Sequence, residues 1–264
     1  MLSAEDFFDL SDWTHPELFT GKEPVWQAFS RLKSYLSDVL QPNLPELSHS
    51  DPVLQKTVVL HQGNVLTPGF ELRPGDATKG KYQVIQDGVV LEGAAVLYAG
   101  ACLMDGDIFI GPGSVVEPGA LIKGPTIIGG YCEIRQGAYL RGHCLVGDRC
   151  VVGHTTEVKH SVMMDDAKAG HFAYIGDSIL GNSTNLGAGT KLANLKIIDS
   201  PVSVTIDKKR YDTGLRKFGA IIGDDTETGC NSVTNPGTLL GRRCLVYPGI
   251  SVKGGYYRDR SVIR

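Results

Sequence analysis

A six-residue repeat of aliphatic side chains dominates the hydrophobic pattern of this chain. Starting at Ile110, every sixth position is aliphatic through Val116, Ile122, Ile128, Ile134, Leu140, Val146, Val152, Val158 and Met164. The register then slips by two residues and resumes at Leu180, Leu186 and Leu192, and it returns as Ile222, Leu240, Val246 and Val252, interrupted by Thr228 and Thr234. A fixed internal period of this kind indicates a repeat architecture.

A second lattice of small residues lies four positions after each aliphatic residue. It reads Ser114, Ala120, Thr126, Cys132, Ala138, Cys144, Cys150 and Thr156. Each small residue precedes the next aliphatic residue by two positions, so on a strand both side chains point to the same side. Three such hexads, with frequent glycine at the corners, predict one coil of a prism with three parallel sheets, whose strands stack about 4.8 Å apart.

The cysteines follow this lattice and do not suggest a metal site. Five of the six are expected to point inward as small buried residues: Cys102, Cys132, Cys144, Cys150 and Cys244. Cys230 lies off the lattice. No CxxC pair or zinc-type spacing is present, so the sequence predicts no metal centre.

The remaining segments divide the chain into four parts. Residues 1–56 read as an N-terminal helical segment, with helical spacing from Val25 to Leu40, followed by a linker over 41–56 that contains Pro42, Pro45 and Pro52. Residues 57–88 predict irregular strands that lead into the first coil. Residues 89–254 form the β-helix with an excursion loop at 193–220, and 255–264 form a C-terminal tail. We expect the N-terminal helix to cap an end of the prism.

Composition gives no global attraction to nucleic acid or membrane. The chain has 264 residues, 26 basic and 29 acidic, and a net charge of −3. It has no run of about 18 apolar residues and no basic leader, so we expect a cytoplasmic protein with reduced cysteines. Any anion site must therefore be local.

Basic residues occupy a corner position where glycine is common. They are Arg135, Arg141 and Lys159. Since three full hexads separate Arg141 from Lys159, the two should share a corner in successive coils. Two stacked cations repel each other unless an anion lies between them, and arginine and lysine together suit a phosphate. The alternative is that both side chains diverge into water. The basic run in the excursion loop, from Lys208 to Lys217, is either solvated or reaches over a neighbouring site.

The stretch EVKHSVMMDDAKAGHFAYIGDSILGNSTNLGAGT, residues 157–190, carries a family resemblance. It is similar to a family stretch that reads VKK, then GHLTYLGDA, then NIGAGT. It resembles the acetyltransferase half of the bifunctional enzyme that makes UDP-N-acetylglucosamine, a hexapeptide-repeat acyltransferase. The resemblance covers roughly the second half of the chain, and its spacing is kept from Arg141 through Asn194. It implies an all-β, left-handed parallel β-helix.

The resemblance also implies site residues and an activity. His171 matches the catalytic base, and Arg141 and Lys159 match the residues that hold the sugar phosphate. Matches to residues that line the sugar and acetyl group are Tyr174, Asn185 and Asn194, with Lys217 brought to the same site; Cys230 and Pro248 match positions along the coenzyme A arm. The implied protein is a homotrimeric, acetyl-CoA-dependent N-acetyltransferase that acts on an amino-sugar phosphate such as glucosamine 1-phosphate. A histidine suits this chemistry because it titrates near neutral pH and can take a proton from the attacking amine.

This chain departs from the family pattern at several positions. Leu195 replaces a tyrosine after the matched asparagine, and Cys230 stands where serine is common. Val246, Tyr247 and Pro248 replace small residues, and the insert at 199–215 is longer. The sequence has no glycine-rich G-x-G-T-R type loop, so we expect no nucleotidyltransferase domain and no uridylyltransferase activity; a separate pyrophosphorylase would supply that step.

Three other readings stay open at this stage. The fold is compatible with acylation of a different anionic amine or sugar. Four histidines, at 143, 154, 160 and 171, raise the possibility of a zinc hydratase, although their spacing does not match that class. The third reading is a non-catalytic, regulatory subunit that binds a sugar nucleotide.

Overall fold

The computed structural model describes residues 2–44 and 51–264, so Met1 and the part of the predicted linker at 45–50, with Pro45, lie outside the described residues. Within these ranges the helical structure is confined to short elements. They are 3₁₀ turns at Ala4–Asp6, Pro16–Leu18, Val25–Gln27 and Ala77–Lys79, and one α-helix, α1, at Ala28–Val39. No helix of the described ranges is long and apolar enough to cross a membrane.

Three sheets form the walls of a parallel β-helix, and here they are named A, B and C. Sheet A has eight strands: β7 (Cys102–Leu103), β10 (Leu121–Lys123), β13 (Tyr139–Arg141), β16 (Glu157–Lys159), β19 (Tyr174–Gly176), β22 (Lys191–Leu192), β27 (Val233–Thr234) and β30 (Ser251–Val252). Sheet B has eleven: β1 (Val58–His61), β2 (Asn64–Leu66), β6 (Ala95–Leu97), β9 (Val115–Val116), β12 (Glu133–Ile134), β15 (Val151–His154), β18 (Lys168–His171), β21 (Asn185–Leu186), β26 (Glu227–Thr228), β29 (Leu245–Val246) and β32 (Val262–Ile263). Sheet C has eight: β8 (Ile108–Ile110), β11 (Thr126–Ile128), β14 (Cys144–Val146), β17 (Ser161–Met163), β20 (Ile179–Leu180), β25 (Ala220–Ile222), β28 (Thr238–Leu240) and β31 (Gly255–Tyr257).

The chain passes through the sheets in the order A, C, B in every coil. Strands within each wall pair in parallel from one coil to the next, apart from β1 and β2, which add antiparallel to the start of sheet B. The prediction of a parallel β-helix built from hexapeptide repeats is therefore confirmed. The corners at which the chain turns are named by the sheets they join: the AC, CB and BA corners.

The predicted hexad register holds up to Val158 and then shortens at the AC corner. Leu140 pairs with Val158, three full hexads further along, but Val146 pairs with Met163, one position short of three hexads. Met163 therefore occupies the inward position that the repeat assigns to Met164, whose side chain packs on the outside of sheet C. A second shortened step follows between Ile175 and Leu180. These two shortened steps account for the slip of two residues in the sequence pattern.

The interior of the prism is filled by the two predicted lattices. The aliphatic residues from Ile110 to Val252 form one continuous buried cluster with the small residues between them. Thr228 and Thr234, which interrupt the aliphatic repeat, are also buried on the inward side. Cys132, Cys144, Cys150 and Cys244 are buried as predicted, and Cys230 is exposed. Cys102 is only partly buried, because Ala101 and not Cys102 takes the inward position in the first coil.

The N-terminal segment covers a face of the prism, not an end as predicted. The outer surface of sheet C is apolar, with Ile127, Leu145, Val162, Ile179 and Ile221. Residues of the N-terminal segment pack against it, including Phe7, Phe8, Trp13, Leu18, Trp26, Phe29, Leu32 and Leu36. Each such side chain removed from water contributes roughly 1.5–3 kcal/mol. Sheet C is thus closed to solvent along much of its length by the chain itself.

Two further segments differ from their predicted form. The excursion at 193–220 contains an antiparallel hairpin, β23 (Ser203–Ile206) with β24 (Lys209–Asp212), and its Val202, Val204 and Ile206 join the N-terminal segment over sheet C. The predicted tail at 255–264 instead forms β31 and β32, which continue sheets C and B. Between β2 and β6 the chain forms a three-stranded antiparallel sheet of β3 (Glu71–Arg73), β4 (Gln83–Gln86) and β5 (Val89–Val90).

Candidate active site

His171 belongs to a column of residues that runs along the BA corner. Backbone hydrogen bonds join the column from coil to coil: Phe172 N donates to His154 O at 2.9 Å, Gly189 N to His171 O at 2.9 Å, Asn231 N to Ala188 O at 2.8 Å, and Gly249 N to Cys230 O at 2.9 Å. The column therefore reads His154, His171, Ala188, Cys230 and Pro248. The His171, Cys230 and Pro248 side chains are all exposed. The structure thus places the predicted base and both predicted coenzyme A positions on a single open edge.

Arg141 and Lys159 stack on the AC corner, at the other edge of sheet A. Leu140 and Val158 are register partners, so the next residues of the two strands, Arg141 and Lys159, lie in neighbouring coils. The guanidinium and the ammonium do not face each other across an empty gap. Each is paired with its own carboxylate, an arrangement that neither of the sequence alternatives described.

The first of these pairs joins Arg141 to Glu157 on the outer face of sheet A. Arg141 Nη1 lies 2.7 Å from Glu157 Oε1, and their side chains are 44% and 34% exposed. The hydrogen bond that Arg141 donates to Glu157 raises the pKa of Arg141, so its positive charge is held firmly. An ion pair this exposed contributes only about 0–1 kcal/mol. Arg141 can therefore exchange Glu157 for another anion at low cost.

The second pair is more buried and has more partners. Asp177 is 4% exposed, and its carboxylate accepts hydrogen bonds from Lys159 Nζ at 2.9 and 3.1 Å, from His160 Nδ1 at 2.8 Å and from Asn194 Nδ2. Burial raises the pKa of Asp177, but the hydrogen bonds from His160, Lys159 and Asn194 outweigh it and hold that pKa below its ordinary value. The carboxylate is therefore ionised at neutral pH. Since an ammonium has three donors, Lys159 keeps one for a further acceptor.

Tyr174 crosses sheet A toward the same corner. Its hydroxyl lies 3.4 Å from Asn194 Oδ1 and sits over Gly176. A Cβ on Gly176 would lie 2.5 Å from this hydroxyl and 2.8 Å from Asn194 Nδ2, so a larger residue here would displace these two side chains. Burial, followed by the charges of Glu157 and Asp177, raises the pKa of Tyr174, so the phenol remains a hydrogen-bond donor.

The excursion returns to the prism beside these residues. Phe218 N donates to Asn194 O at 2.9 Å, and Leu195 and Lys217 form an antiparallel bridge. Lys217, which is exposed, is thereby placed at the AC corner next to Asn194. The structure brings together Arg141, Lys159, Tyr174, Asn194 and Lys217 around this corner.

Asn185 is separated from this group within one chain. It begins β21 in sheet B, where it pairs with Lys168, and its side chain is exposed. Sheet B and sheet A meet at the BA corner, so His171 lies between Asn185 on one face and Tyr174 on the other. One chain therefore divides the predicted site residues between two walls of the prism.

The four histidines considered for a zinc site form two separate pairs. His154 and His171 share the BA corner, whereas His143 and His160 share the AC corner with ring centroids 6.1 Å apart. In the described ranges, no group of three or more metal-binding side chains comes together. Among the described residues, these four histidines therefore do not form the three-histidine set that a zinc hydratase needs.

Sequence reasoning missed Asp177, His160 and Ala188. The shortened steps that follow Val158 and Ile175 mark the first two, since both steps turn at the AC corner and carry polar residues there. Ala188 lies one coil after His171 in the BA column. Its position follows from the register once the shortened coils are recognised.

Part of this chain is similar to known proteins. A family model described as the GMPPB C-terminal domain matches residues 122–209. A bifunctional sugar-1-phosphate nucleotidylyltransferase/acetyltransferase of Sulfurisphaera tokodaii is 39% identical over 115 residues, which are 44% of this chain and 29% of that protein. The bifunctional protein GlmU of Methanocaldococcus jannaschii is 39% identical over 109 residues, 41% of this chain and 26% of that protein. The match thus spans less than a third of the length of these relatives.

Two solved structures match part of this chain at low sequence identity. The acetyltransferase domain of PglB from Neisseria gonorrhoeae in complex with acetyl coenzyme A is 12% identical, with a TM-score of 0.27 over 62% of this chain and 53% of that one. Arabidopsis UDP-N-acetylglucosamine acyltransferase is 15% identical, with a TM-score of 0.25 over 61% of this chain and 70% of that one.

The resemblance predicted from the motif at 157–190 is confirmed by the curated relatives. This chain resembles the acetyltransferase half of GlmU-type bifunctional proteins, and it carries that resemblance on a hexapeptide-repeat β-helix.

Proposed function

We propose that this protein is an acetyl-CoA-dependent N-acetyltransferase whose acceptor is an amino-sugar phosphate, most simply glucosamine 1-phosphate, in the biosynthesis of a UDP-N-acetylglucosamine-type sugar nucleotide. One observation carries the proposal: a column with His171, Cys230 and Pro248 on one corner faces a cationic corner with Arg141 and Lys159 across a single sheet. The Sulfurisphaera tokodaii relative, which is named as a bifunctional sugar-1-phosphate nucleotidylyltransferase/acetyltransferase, supports the same proposal.

The acceptor would lie across the outer face of sheet A. Its phosphate would bind at the AC corner, where Arg141 leaves Glu157 for the phosphate oxygens and Lys159 offers its remaining donor while it stays bound to Asp177. Arginine binds phosphate through two parallel hydrogen bonds, and lysine adds a point charge. Tyr174 and Asn194 line the space between this corner and His171.

His171 would act as the general base. Its ring is exposed and makes no hydrogen bond within the described residues, so both nitrogens are open to a substrate. The amine nitrogen attacks the thioester carbonyl, a C–N bond forms, and the imidazole takes the proton that the amine loses. The C–S bond then breaks, the imidazolium returns that proton to the sulfur, and coenzyme A leaves as the thiol. A positioned base of this kind contributes roughly a hundred- to ten-thousandfold in rate.

Acetyl-CoA would reach this centre along the BA corner. Ala188 lies directly after His171 in the column and carries the smallest chiral side chain, and the exposed Cys230 and Pro248 follow. Successive coils stack about 4.8 Å apart, so these residues offer an extended edge for a long cofactor arm.

We further propose that the active protein is a homotrimer with sites shared between chains. Asn185 lies on sheet B, away from Arg141 and Tyr174, so it can complete a site only for a neighbouring prism. A threefold arrangement brings sheet B of one chain toward sheet A of the next, since heterologous contacts close into rings. The outer face of sheet C is covered by the N-terminal segment, which leaves sheets A and B for such contacts.

Co-expression of two defective variants tests the shared site. Arg141→Ala and Asn185→Ala are each expected to be nearly inactive, whereas every mixed trimer regains one site of its three, the site in which both wild-type residues meet, which is about a quarter of all sites when the two chains associate at random. Mixed trimers as inactive as either parent would show that both residues act from one chain.

Thiol release from acetyl-CoA tests the activity itself. We expect release with glucosamine 1-phosphate and much less with glucosamine, because only the phosphate uses the AC corner. Release with another anionic amine, and not with this sugar, would keep the chemistry and replace the acceptor. Binding without release for every amine tested would favour a regulatory, sugar-nucleotide-binding subunit.

A further inference from the structure

A ladder of hydrogen-bonded side chains lies next to the cationic residues of the AC corner. His160, Asp177 and Asn194 occupy equivalent positions in three successive coils of the AC corner, each one residue beyond the end of its strand or nearly so. His160 and Asn194 both bind the carboxylate of Asp177, which lies between them. Lys159 binds the same carboxylate from the side.

The backbone connects this ladder to the excursion as well. Asp177 N donates to Lys159 O at 3.0 Å, and Gly219 N donates to Asp177 O at 2.8 Å. The position of the Asp177 carboxylate therefore determines where Lys159 and Asn194 point, and both are candidate ligands of the acceptor.

His160 holds this carboxylate with one defined ring nitrogen. An ionised carboxylate only accepts hydrogen bonds, so Nδ1 of His160 must carry the proton in the 2.8 Å contact. The other nitrogen, Nε2, is buried and has no hydrogen-bond partner among the described residues. The His160 side chain is 15% exposed, so the substrate would not touch it.

The N-terminal segment braces the ladder from outside. The ring of Phe29, on α1, lies 6.3 Å from the ring of His160 and 5.2 Å from that of Phe218. Phe218 follows Lys217 and donates its backbone N–H to Asn194. Phe29 therefore contacts a residue next to Lys159 and a residue next to Lys217 at once.

We propose that His160 is a positioning residue for the acceptor: through Asp177 it sets the geometry of Lys159 and Asn194, and Phe29 holds it in place. This proposal rests on the proposed function, in which these two residues bind the amino-sugar phosphate. It gives the N-terminal segment a role in substrate binding beyond the covering of sheet C.

Replacement of His160 by asparagine or by glutamine distinguishes the roles of its two ring nitrogens. The amide of His160→Asn places an N–H donor near the position of Nδ1, whereas that of His160→Gln places it near Nε2, where the structure offers no partner. We expect His160→Asn to keep the KM for glucosamine 1-phosphate within about threefold of wild type. His160→Gln and His160→Ala are expected to raise that KM roughly tenfold or more, with kcat and the KM for acetyl-CoA little changed, because uniform binding is lost and the base is untouched.

Phe29→Leu extends the test to the N-terminal segment. It keeps an apolar side chain over sheet C but loses the ring between His160 and Phe218, and it should raise the same KM. Leu32→Ala, which removes a buried side chain of α1, serves as a control for lost packing alone. Equal KM values for wild type, His160→Gln and His160→Ala would overturn the proposal, as would a fall in kcat with no change in KM.

A measurement that does not need activity separates this proposal from the proposed function. Imidazole nitrogen NMR of the wild type should show the His160 ring, identified by the loss of its signal in His160→Ala, with its proton on Nδ1, and Asp177→Ala should change that signal. A wild type without acetyltransferase activity would remove the proposed function, and the NMR result would still decide the contact between His160 and Asp177. A His160 signal with the proton on Nε2 would overturn the positioning role even in an active enzyme.

Discussion

His154 and His171 are register partners in neighbouring strands of sheet B, one shortened coil apart. The two rings differ in their surroundings. Nδ1 of His154 donates a hydrogen bond to the backbone oxygen of Gln136 at 2.9 Å, whereas the His171 ring is exposed on the column that continues to Cys230. The pair therefore offers a candidate catalytic base, His171, and a control histidine, His154, on one corner.

Substitution of these two histidines should separate catalysis from structure. His171→Ala is expected to lower kcat by a hundredfold or more, since a general base contributes roughly a hundred- to ten-thousandfold. His154→Ala should change kcat by less than about threefold, because its ring nitrogen serves the backbone. Steady-state thiol release with glucosamine 1-phosphate measures both. Equal losses in the two variants would assign His171 a structural role.

A glycine pair on the BA corner tests the stacking of coils. A Cβ on Gly153 would clash with the backbone oxygen of Gly170, whereas a Cβ on Gly170 would meet nothing within 4 Å. Gly153→Ala should cost about 1–3 kcal/mol or more, as overpacking against backbone does, and Gly170→Ala should be tolerated. Thermal unfolding of both variants checks this. Similar melting temperatures would mean that the two coils are further apart than the structure shows.

The lattice of inward residues shows how much of the fold could be predicted from the sequence. A hexad repeat fixes which side chains face the core, and it holds from Ile110 to Val158 because every coil there consists of three full hexads. It fails at Met163 because the AC corner shortens by one residue, and a repeat extrapolated at six has no means to see a corner of different length. Local backbone geometry, and not hydrophobicity, decides that step.

The sequence contains a pattern that predicts the covering of sheet C, and the hexad analysis did not use it. In coil after coil of sheet C the inward residue is preceded by a second aliphatic residue, as in Ile127 before Ile128, Leu145 before Val146 and Ile179 before Leu180, whereas in sheets A and B such doublets are interrupted by polar residues. Adjacent strand residues point to opposite sides, so these doublets mark a wall that is apolar on both faces. Such a wall needs a cover, and the amphipathic N-terminal segment supplies it.

The hydrogen-bonded ladder at the AC corner could not be predicted from the sequence, for a different reason. Asp177 appears in the sequence as one more polar corner residue, and its importance depends on three donors that converge from positions 159, 160 and 194. Convergence of this kind depends on side-chain directions at a shortened corner. Periodicity can place Arg141 above Lys159, but it does not show that Glu157 and Asp177 already neutralise them.

Asp177 makes a prediction for stability against pH. Its pKa is lowered in the folded protein, so its contribution to stability is present above the ordinary carboxyl pKa and is lost as the pH falls through the lowered value. Wild type should therefore be more stable than Asp177→Asn at pH 7, and the difference should shrink from about pH 5 downward. Urea unfolding at several pH values measures it. A difference that is constant down to pH 3 would mean that Asp177 contributes by shape and not by charge.

The exposed thiol of Cys230 reports on the acetyl-CoA path. Cys132, Cys144, Cys150 and Cys244 are buried, and burial raises the pKa of the partly buried Cys102, so Cys230 should react first with a chromogenic disulfide reagent. Because Cys230 lies two coils beyond His171 in the BA column, bound acetyl-CoA should cover it. At ten times its Kd, acetyl-CoA should slow the fast phase roughly tenfold, since only the unliganded fraction reacts.

Glucosamine 1-phosphate supplies the control for this labelling, because its phosphate is expected at the AC corner, across sheet A from Cys230. Alone it should leave the fast phase unchanged, and Cys230→Ser should abolish that phase in every condition. Protection by the sugar phosphate and not by acetyl-CoA would exchange the two ligands between the corners, and it would remove Cys230 and Pro248 from the cofactor path. Protection by acetyl-CoA alone would place the thioester on the same edge as His171, where a base is needed for the amine to attack it.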